Sequence, residues 1–126
     1  MNYKVLVIDD EPMSRALLRL TLQENNFDVM EANDGLAALT MIGQQQPDLI
    51  IVDVVMPSLS GLDLCRIVRQ NNQFGTIPIL IVSAKAQMEA VRAGMLAGAT
   101  HYLTKPISRR ELVRVVTGLL PAPLAN

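Results

Sequence analysis

The feature that most restricts this chain is the recurrence of short, unbroken apolar runs: Val5 to Ile8, Leu49 to Val52 and Ile79 to Val82. Each is too short for a helix and rich in Val and Ile, so each is expected to form a strand. Strands that lack polar alternation are buried on both faces, the condition of a parallel sheet covered by helices on its two sides. Asp28 to Ala32 alternates instead, and His101 to Thr104 is partly polar, so these two suit opposite edges of the sheet.

Helical stretches lie between the strands: Pro12 to Asn25, Gly35 to Gln44, Gly61 to Gln70, Gln87 to Ala97 and Ser108 to Leu120. In the last of these Leu112, Val115, Val116 and Leu119 repeat at the spacing of one helix face. Ser108 and Glu111 there form the pair in which each side chain satisfies a backbone N–H left free at the helix start. Pro12 suits a first helical turn, whereas Pro47, Pro57, Pro78 and Pro106 fall between elements. Met88, Val91 and Met95 make a stripe on the fourth helix that is read as core. Gly61, Gly94 and Gly98 are read as easing turns or close packing, with Gly94 costing the fourth helix intrinsic stability. Arg109, Arg110, Arg114 and His101 are read as solvated surface. Five strands alternating with five helices give an open α/β sheet, a fold that binds ligands beyond the carboxyl ends of its strands.

Composition bounds the rest. The 126 residues, half of them hydrophobic, are enough for one core. One domain is expected over residues 1–120, with 121–126 as a tail or the start of a linker. Eleven basic against twelve acidic residues create no bulk field toward nucleic acid or an anionic membrane. Cys65 is the only cysteine, which excludes a disulfide and a thiolate zinc cage and suits a reducing compartment. No leader-like or long apolar segment precedes the first acids, so an unsecreted, cytoplasmic protein is expected.

The chemistry gathers just after the strands. Asp9 and Asp10 follow the first, Asp53 the third, Ser83 the fourth and Lys105 the fifth. In a parallel sheet these positions converge at one edge. Carboxylates about 4 Å apart repel by roughly 4 kcal/mol per pair at an effective dielectric near 20, so the cluster needs compensating charge. Oxygen-only ligation suits magnesium, whereas zinc would want His or Cys. Lys105 offers a fixed positive charge, able to pair with Asp53 and then with a phosphoryl oxygen. A carboxylate in the position of Asp53 can attack phosphorus to give an aspartyl phosphate, with Ser83 bonding one of the transferred oxygens. Taken singly, Asp9 and Asp10 fit the start of a loop and a helix cap, Lys105 a solvated lysine and Ser83 a turn; the set is what points to chemistry.

The sequence resembles response-regulator receiver domains over residues 3 to about 120. The resemblance rests on Asp9-Asp10, on Asp53 followed by Met56-Pro57 and Gly61, on Ser83-Ala84, on Gly98-Ala99 and on Tyr102-Leu103-Thr104-Lys105-Pro106. It implies a flavodoxin-like, doubly wound five-stranded parallel sheet of order 2-1-3-4-5 with five helices. It implies that Asp53 takes a phosphoryl group from a histidine kinase or phosphotransfer protein. Asp10, Asp53 and the Val55 carbonyl would bind magnesium directly, with Asp9 helping. Ser83 would move toward the phosphoryl group and Tyr102 inward, changing a face of helix four, strand five and helix five. That face would meet a downstream effector or form a homodimer, with no direct contact to nucleic acid or membrane. Such a domain is a switch with self-catalysed phosphotransfer and autodephosphorylation, and no independent substrate. His101 departs from the commonest family pattern, and Val55 and Lys85 occupy variable positions where access of hydrolytic water is tuned. Competing readings are a receiver-like binding module that works without phosphorylation, an aspartyl hydrolase, which would need a cap insertion, and a flavin carrier. The last conflicts with the Asp-Asp-Glu-Pro loop, which would repel a phosphate without a metal.

Overall fold

The apolar runs form strands because both of their faces are covered. In the computed structural model, which describes residues 2–121, the order is β1 Lys4–Ile8, α1 Pro12–Gln23, β2 Asp28–Ala32, α2 Gly35–Gln45, β3 Leu49–Val52, α3 Gly61–Gln70, β4 Ile79–Ser83, α4 Met88–Ala97, β5 His101–Thr104 and α5 Arg109–Leu119. All strand pairs are parallel, in the order β2-β1-β3-β4-β5, so the two polar strands do stand at the edges. Successive side chains of a strand point to opposite faces. Leu6, Ile8, Ile50, Val52, Ile79 and Ile81 accordingly pack with Ala38, Ile42, Leu64, Val68 and Ala97 of α2, α3 and α4. Val5, Val7, Leu49, Ile51, Leu80 and Val82 pack on the other face with Leu18 and Leu22 of α1 and Leu112 and Val116 of α5.

Helix ends follow local chemistry. The Glu11 carboxylate caps α1, accepting from Met13 N at 3.1 Å and Ser14 N at 2.7 Å, which frees Asp9 and Asp10 from the capping role that either could fill. α1 stops at Gln23, short of Asn25, because Asn26 turns to a φ of 68° and Phe27 N returns to Leu22 O at 3.1 Å. Ser108 Oγ caps α5 through Glu111 N at 3.0 Å, but the Glu111 carboxylate lies against Arg114 at 3.9 Å, so only half of the reciprocal pair forms.

The Met stripe of α4 is not core. Met88 is 79% exposed and Met95 44%, while Gly94 and Ala97 are buried. The reason is close approach: a Cβ on Gly94 would stand 2.9 Å from Ile81 Cδ1 and from Tyr102 Cδ2. The helix thus rests on its smallest residues, and the long side chains face out. No helix among the described residues is long and apolar enough to cross a membrane. Of the expected tail, Pro121 alone is described, with its carbonyl bonded by Tyr3 Oη at 2.7 Å; residues 122–126 lie outside the described residues.

Candidate functional site

The sheet ladder carries its order one residue beyond the strands. Ile8 faces Val52 in register, so Asp9 and Asp53 emerge side by side, with Asp53 N donating to Ile8 O at 3.1 Å. Asp9 N donates to Ala32 O at 3.2 Å and Lys105 N to Ser83 O at 2.8 Å, which continue β1 along β2 and β5 along β4. Close packing of α3 secures the Asp53 turn: Gly61 N donates to Val54 O at 3.0 Å, and a Cβ on Gly61 would collide with the Asp53 carbonyl.

Lys105 Nζ lies 2.9 Å from Asp9 Oδ2 and 2.9 Å from Asp53 Oδ2. Burial alone would pull its pKa down, but the hydrogen bonds and charges of Asp53 and Asp9 outweigh that and hold it above the ordinary lysine value. Asp9 is 1% exposed, and both its oxygens are engaged: Oδ1 accepts from Glu11 N at 3.0 Å, and Oδ2 also from Ser14 Oγ at 2.8 Å. Asp10, the next residue, is exposed and makes no ion pair among the described residues. Asp53 keeps Oδ1 on Val55 N at 3.1 Å, in a loop where Val55 itself is exposed. Ser83 is fully buried; its Oγ accepts from Lys85 N at 3.2 Å, which leaves the hydroxyl proton free to be donated. Tyr102 sits one strand away with its hydroxyl on Lys85 O at 2.7 Å.

The structure therefore brings Asp9, Asp53 and Lys105 into direct contact and sets Ser83 one hydrogen bond from the loop that Tyr102 holds. Among the described residues no group of three or more Asp, Glu, His or Cys is arranged as a metal centre. Asp9 already accepts three hydrogen bonds, so the Asp10 and Asp53 carboxylates and loop carbonyls are the less engaged donors, a sparse, hard-oxygen set of the kind magnesium completes with water. Sequence reasoning passed over Ser14 and Glu11, which hold Asp9 and start α1. Their only signal was a place in the first turn of the helix that begins beside the acids. A surface hollow of about 540 Å³, lined by residues that include Tyr3, Asp48, Pro78 and Leu120, opens at the other end of the strands, away from the acids.

Comparison with known proteins points the same way. The sequence matches the response regulator receiver domain over residues 5–117. Response regulator MprA of Mycobacterium bovis (strain BCG / Pasteur 1173P2) is 39% identical over 120 residues, covering 95% of this chain and 51% of MprA. The chain spans about half the length of the curated relatives it matches. Among solved structures, a putative response regulator from Chloroflexus aurantiacus J-10-fl has a TM-score of 0.92 at 36% identity, covering 94% of this chain and 98% of that one. The chemotaxis response regulator CheY4 of Vibrio cholerae has a TM-score of 0.90 at 32% identity, covering 95% of this chain and 100% of that one.

Proposed function

Because this chain belongs to the response regulator receiver domain family of two-component signalling, we propose that Asp53 is its phosphoacceptor and that Asp10, Asp53 and the Val55 carbonyl hold the magnesium ion on which such domains generally depend. The observation that carries the reading is the position of Lys105, whose ammonium bridges Asp9 and Asp53 at 2.9 Å each. A buried acid at that place otherwise has no structural reason to face a second one.

One Asp53 oxygen attacks the phosphorus of a phosphohistidine on a histidine kinase or phosphotransfer protein. The O–P bond forms as the P–N bond breaks, and the histidine keeps the electron pair. Magnesium, when bound, neutralises charge on the transferred oxygens. Lys105 exchanges its Asp53 partner for a phosphoryl oxygen while Asp9 keeps it in place. Ser83 donates its hydroxyl proton to another oxygen. In hydrolysis water attacks phosphorus, the Asp53 O–P bond breaks with its electron pair returning to the carboxylate, and inorganic phosphate departs, the water's protons passing to phosphate and solvent. These steps are self-catalysed, since the reacting carboxylate belongs to the protein.

The output is a change in the face formed by α4, β5 and α5, transmitted through Ser83, Lys85 and Tyr102. The exposed Met88, Met95 and Leu96 of α4 give that face apolar area for an effector or a second copy of the chain. The setting is cytoplasmic, and the domain itself contacts neither nucleic acid nor membrane. Acetyl phosphate tests the reading: label should enter with magnesium, be lost with chelator, and be lost in Asp53→Asn. Undiminished labelling of Asp53→Asn would reject Asp53, and failure of the wild-type chain to label from acetyl phosphate and from phosphoramidate would favour a phosphorylation-independent binding module.

A further inference from the structure

Arg15 of α1 donates Nη1 to the carbonyl oxygen of Asp9 at 2.7 Å. The same guanidinium donates Nε to Glu31 Oε1 at 3.2 Å, and the other Glu31 oxygen receives Arg19 Nε at 3.3 Å. Glu31 stands on β2 beside Val7 of β1, so the pair is anchored to the strand that flanks the acids. A planar guanidinium held at two points has a fixed direction, which a lysine ammonium cannot match.

The carbonyl that Arg15 holds belongs to the peptide joining Asp9 to Asp10. The Asp9 carboxylate is fixed independently by Glu11 N, Ser14 and Lys105. The exposed Asp10 side chain has no hydrogen bond among the described residues, so its backbone sets the range of directions open to it. We propose that Arg15, pinned by Glu31, is a positioning residue that orients the Asp9–Asp10 peptide and so presents Asp10 to magnesium. Glu31 has a second effect: by occupying the guanidinium it keeps that positive charge from folding onto the Asp10 carboxylate and competing with the cation. The inference rests on the magnesium site proposed above.

Titration of the unphosphorylated protein with magnesium alone, followed by calorimetry or by backbone amide shifts, tests it at a temperature where every variant is folded. Arg15→Ala should bind magnesium about tenfold more weakly, the low end of what loss of a residue supporting a metal ligand costs. Arg15→Lys, which keeps the charge but not the fork, should be weakened as much, which separates orientation from charge. In an Asp10→Asn background Arg15→Ala should add nothing further. Glu31→Gln is the second route should Arg15→Ala not fold, and it should weaken binding in the same direction. Affinities of Arg15→Ala and Glu31→Gln within about twofold of wild type, with Asp10→Asn clearly impaired, overturn the role of Arg15 and leave the magnesium site standing. If instead Asp10→Asn and Asp53→Asn bind magnesium as wild type does, the site itself is wrong and this inference goes with it.

Discussion

The hydroxyl of Tyr102 donates to the carbonyl oxygen of Lys85 at 2.7 Å, and the N–H of Lys85 reaches Ser83 Oγ at 3.2 Å. One residue thus joins the edge strand β5 to the buried hydroxyl at the end of β4 through two hydrogen bonds. Tyr102→Phe keeps the ring and deletes one of them. It should cost about 1 kcal/mol of stability and speed amide exchange around Lys85, while leaving magnesium affinity unchanged. Exchange rates equal to wild type would show that the hydroxyl does not restrain this loop.

Gly94 sits where α4 touches the same tyrosine. Alanine would gain about 1 kcal/mol in helix propensity, but its Cβ would stand 2.9 Å from Tyr102 Cδ2, and a ring cannot yield as a flexible chain end does. Overpacking of this kind costs about 1–3 kcal/mol. Gly94→Ala should therefore lower the Tm, and because the ring it displaces carries the hydroxyl bonded to Lys85, adding Tyr102→Phe should cost less in this background than in wild type. Strict additivity in the double-mutant cycle would separate the two effects.

Lys105 makes the stability of the fold depend on pH in the alkaline range. Burial lowers its pKa, the hydrogen bonds and charges of Asp53 and Asp9 raise it by more, and the folded value lies above the unfolded 10.5. A raised pKa means that the folded state holds the proton more tightly, so the stabilisation is fully present below pH 10.5 and is lost as pH rises through the folded value. Lys105→Met leaves Asp9 buried without its counter-charge and should cost about 2 kcal/mol, less than for a fully buried pair because Lys105 is partly exposed. Urea midpoints of the two proteins should differ by a constant amount from neutral pH to about pH 10 and converge above 10.5. A gap that persists unchanged at higher pH would assign the loss to packing instead of charge.

The strands were legible in the sequence because each interior strand feeds two cores: Leu6 and Ile8 face one, Val5 and Val7 the other, so no polar residue interrupts the run. The site was legible for the same reason, since Asp53 and Lys105 come directly at strand ends that must converge. The strand order came from family resemblance, as continuous apolar runs do not say which neighbour each strand takes. Differences between adjacent residues were not legible: Asp9 is buried and held by three hydrogen bonds while Asp10 is exposed, a consequence of where the chain leaves β1. Ser14 and Arg15 reach the acids from a helix, through contacts that spacing along the chain does not encode. The α4 stripe misled because helical periodicity marks a face without saying whether it turns inward, and the gap at Gly94 decided that question.

Cys65 offers a probe of unfolding. Its thiol is fully buried in α3, and burial pushes its pKa up to about 11, against the smaller opposing pull of Arg69 and Arg66. At pH 8 the thiol stays protonated, and it is inaccessible in the native fold. A disulfide reagent should therefore label the native protein at a rate set by opening of the fold, and labelling should accelerate in step with every destabilising substitution above. Rapid labelling that ignores added urea would show that the α3 face opens locally.

Arg69, one turn further along α3, should be among the costliest positions to alter outside the acidic cluster. Its guanidinium donates to Gly98 O at 2.8 Å, Gly75 O at 3.0 Å, Ile77 O at 2.6 Å and Thr100 Oγ1 at 3.2 Å. It thereby fastens the loop before β4 to the turn between α4 and β5. No carboxylate pairs with it among the described residues; burial lowers its pKa, and the fork of neutral oxygens takes the place of a counter-charge. Removing the side chain leaves three carbonyls short of a partner, and each such loss costs about 1 kcal/mol or more. Arg69→Ala should therefore destabilise by about 2–4 kcal/mol in urea unfolding. Arg69→Lys should recover little, because one nitrogen cannot span acceptors that the guanidinium reaches with three. A lysine variant with wild-type stability would mean that charge, and not the geometry of the fork, is what this end of the sheet requires.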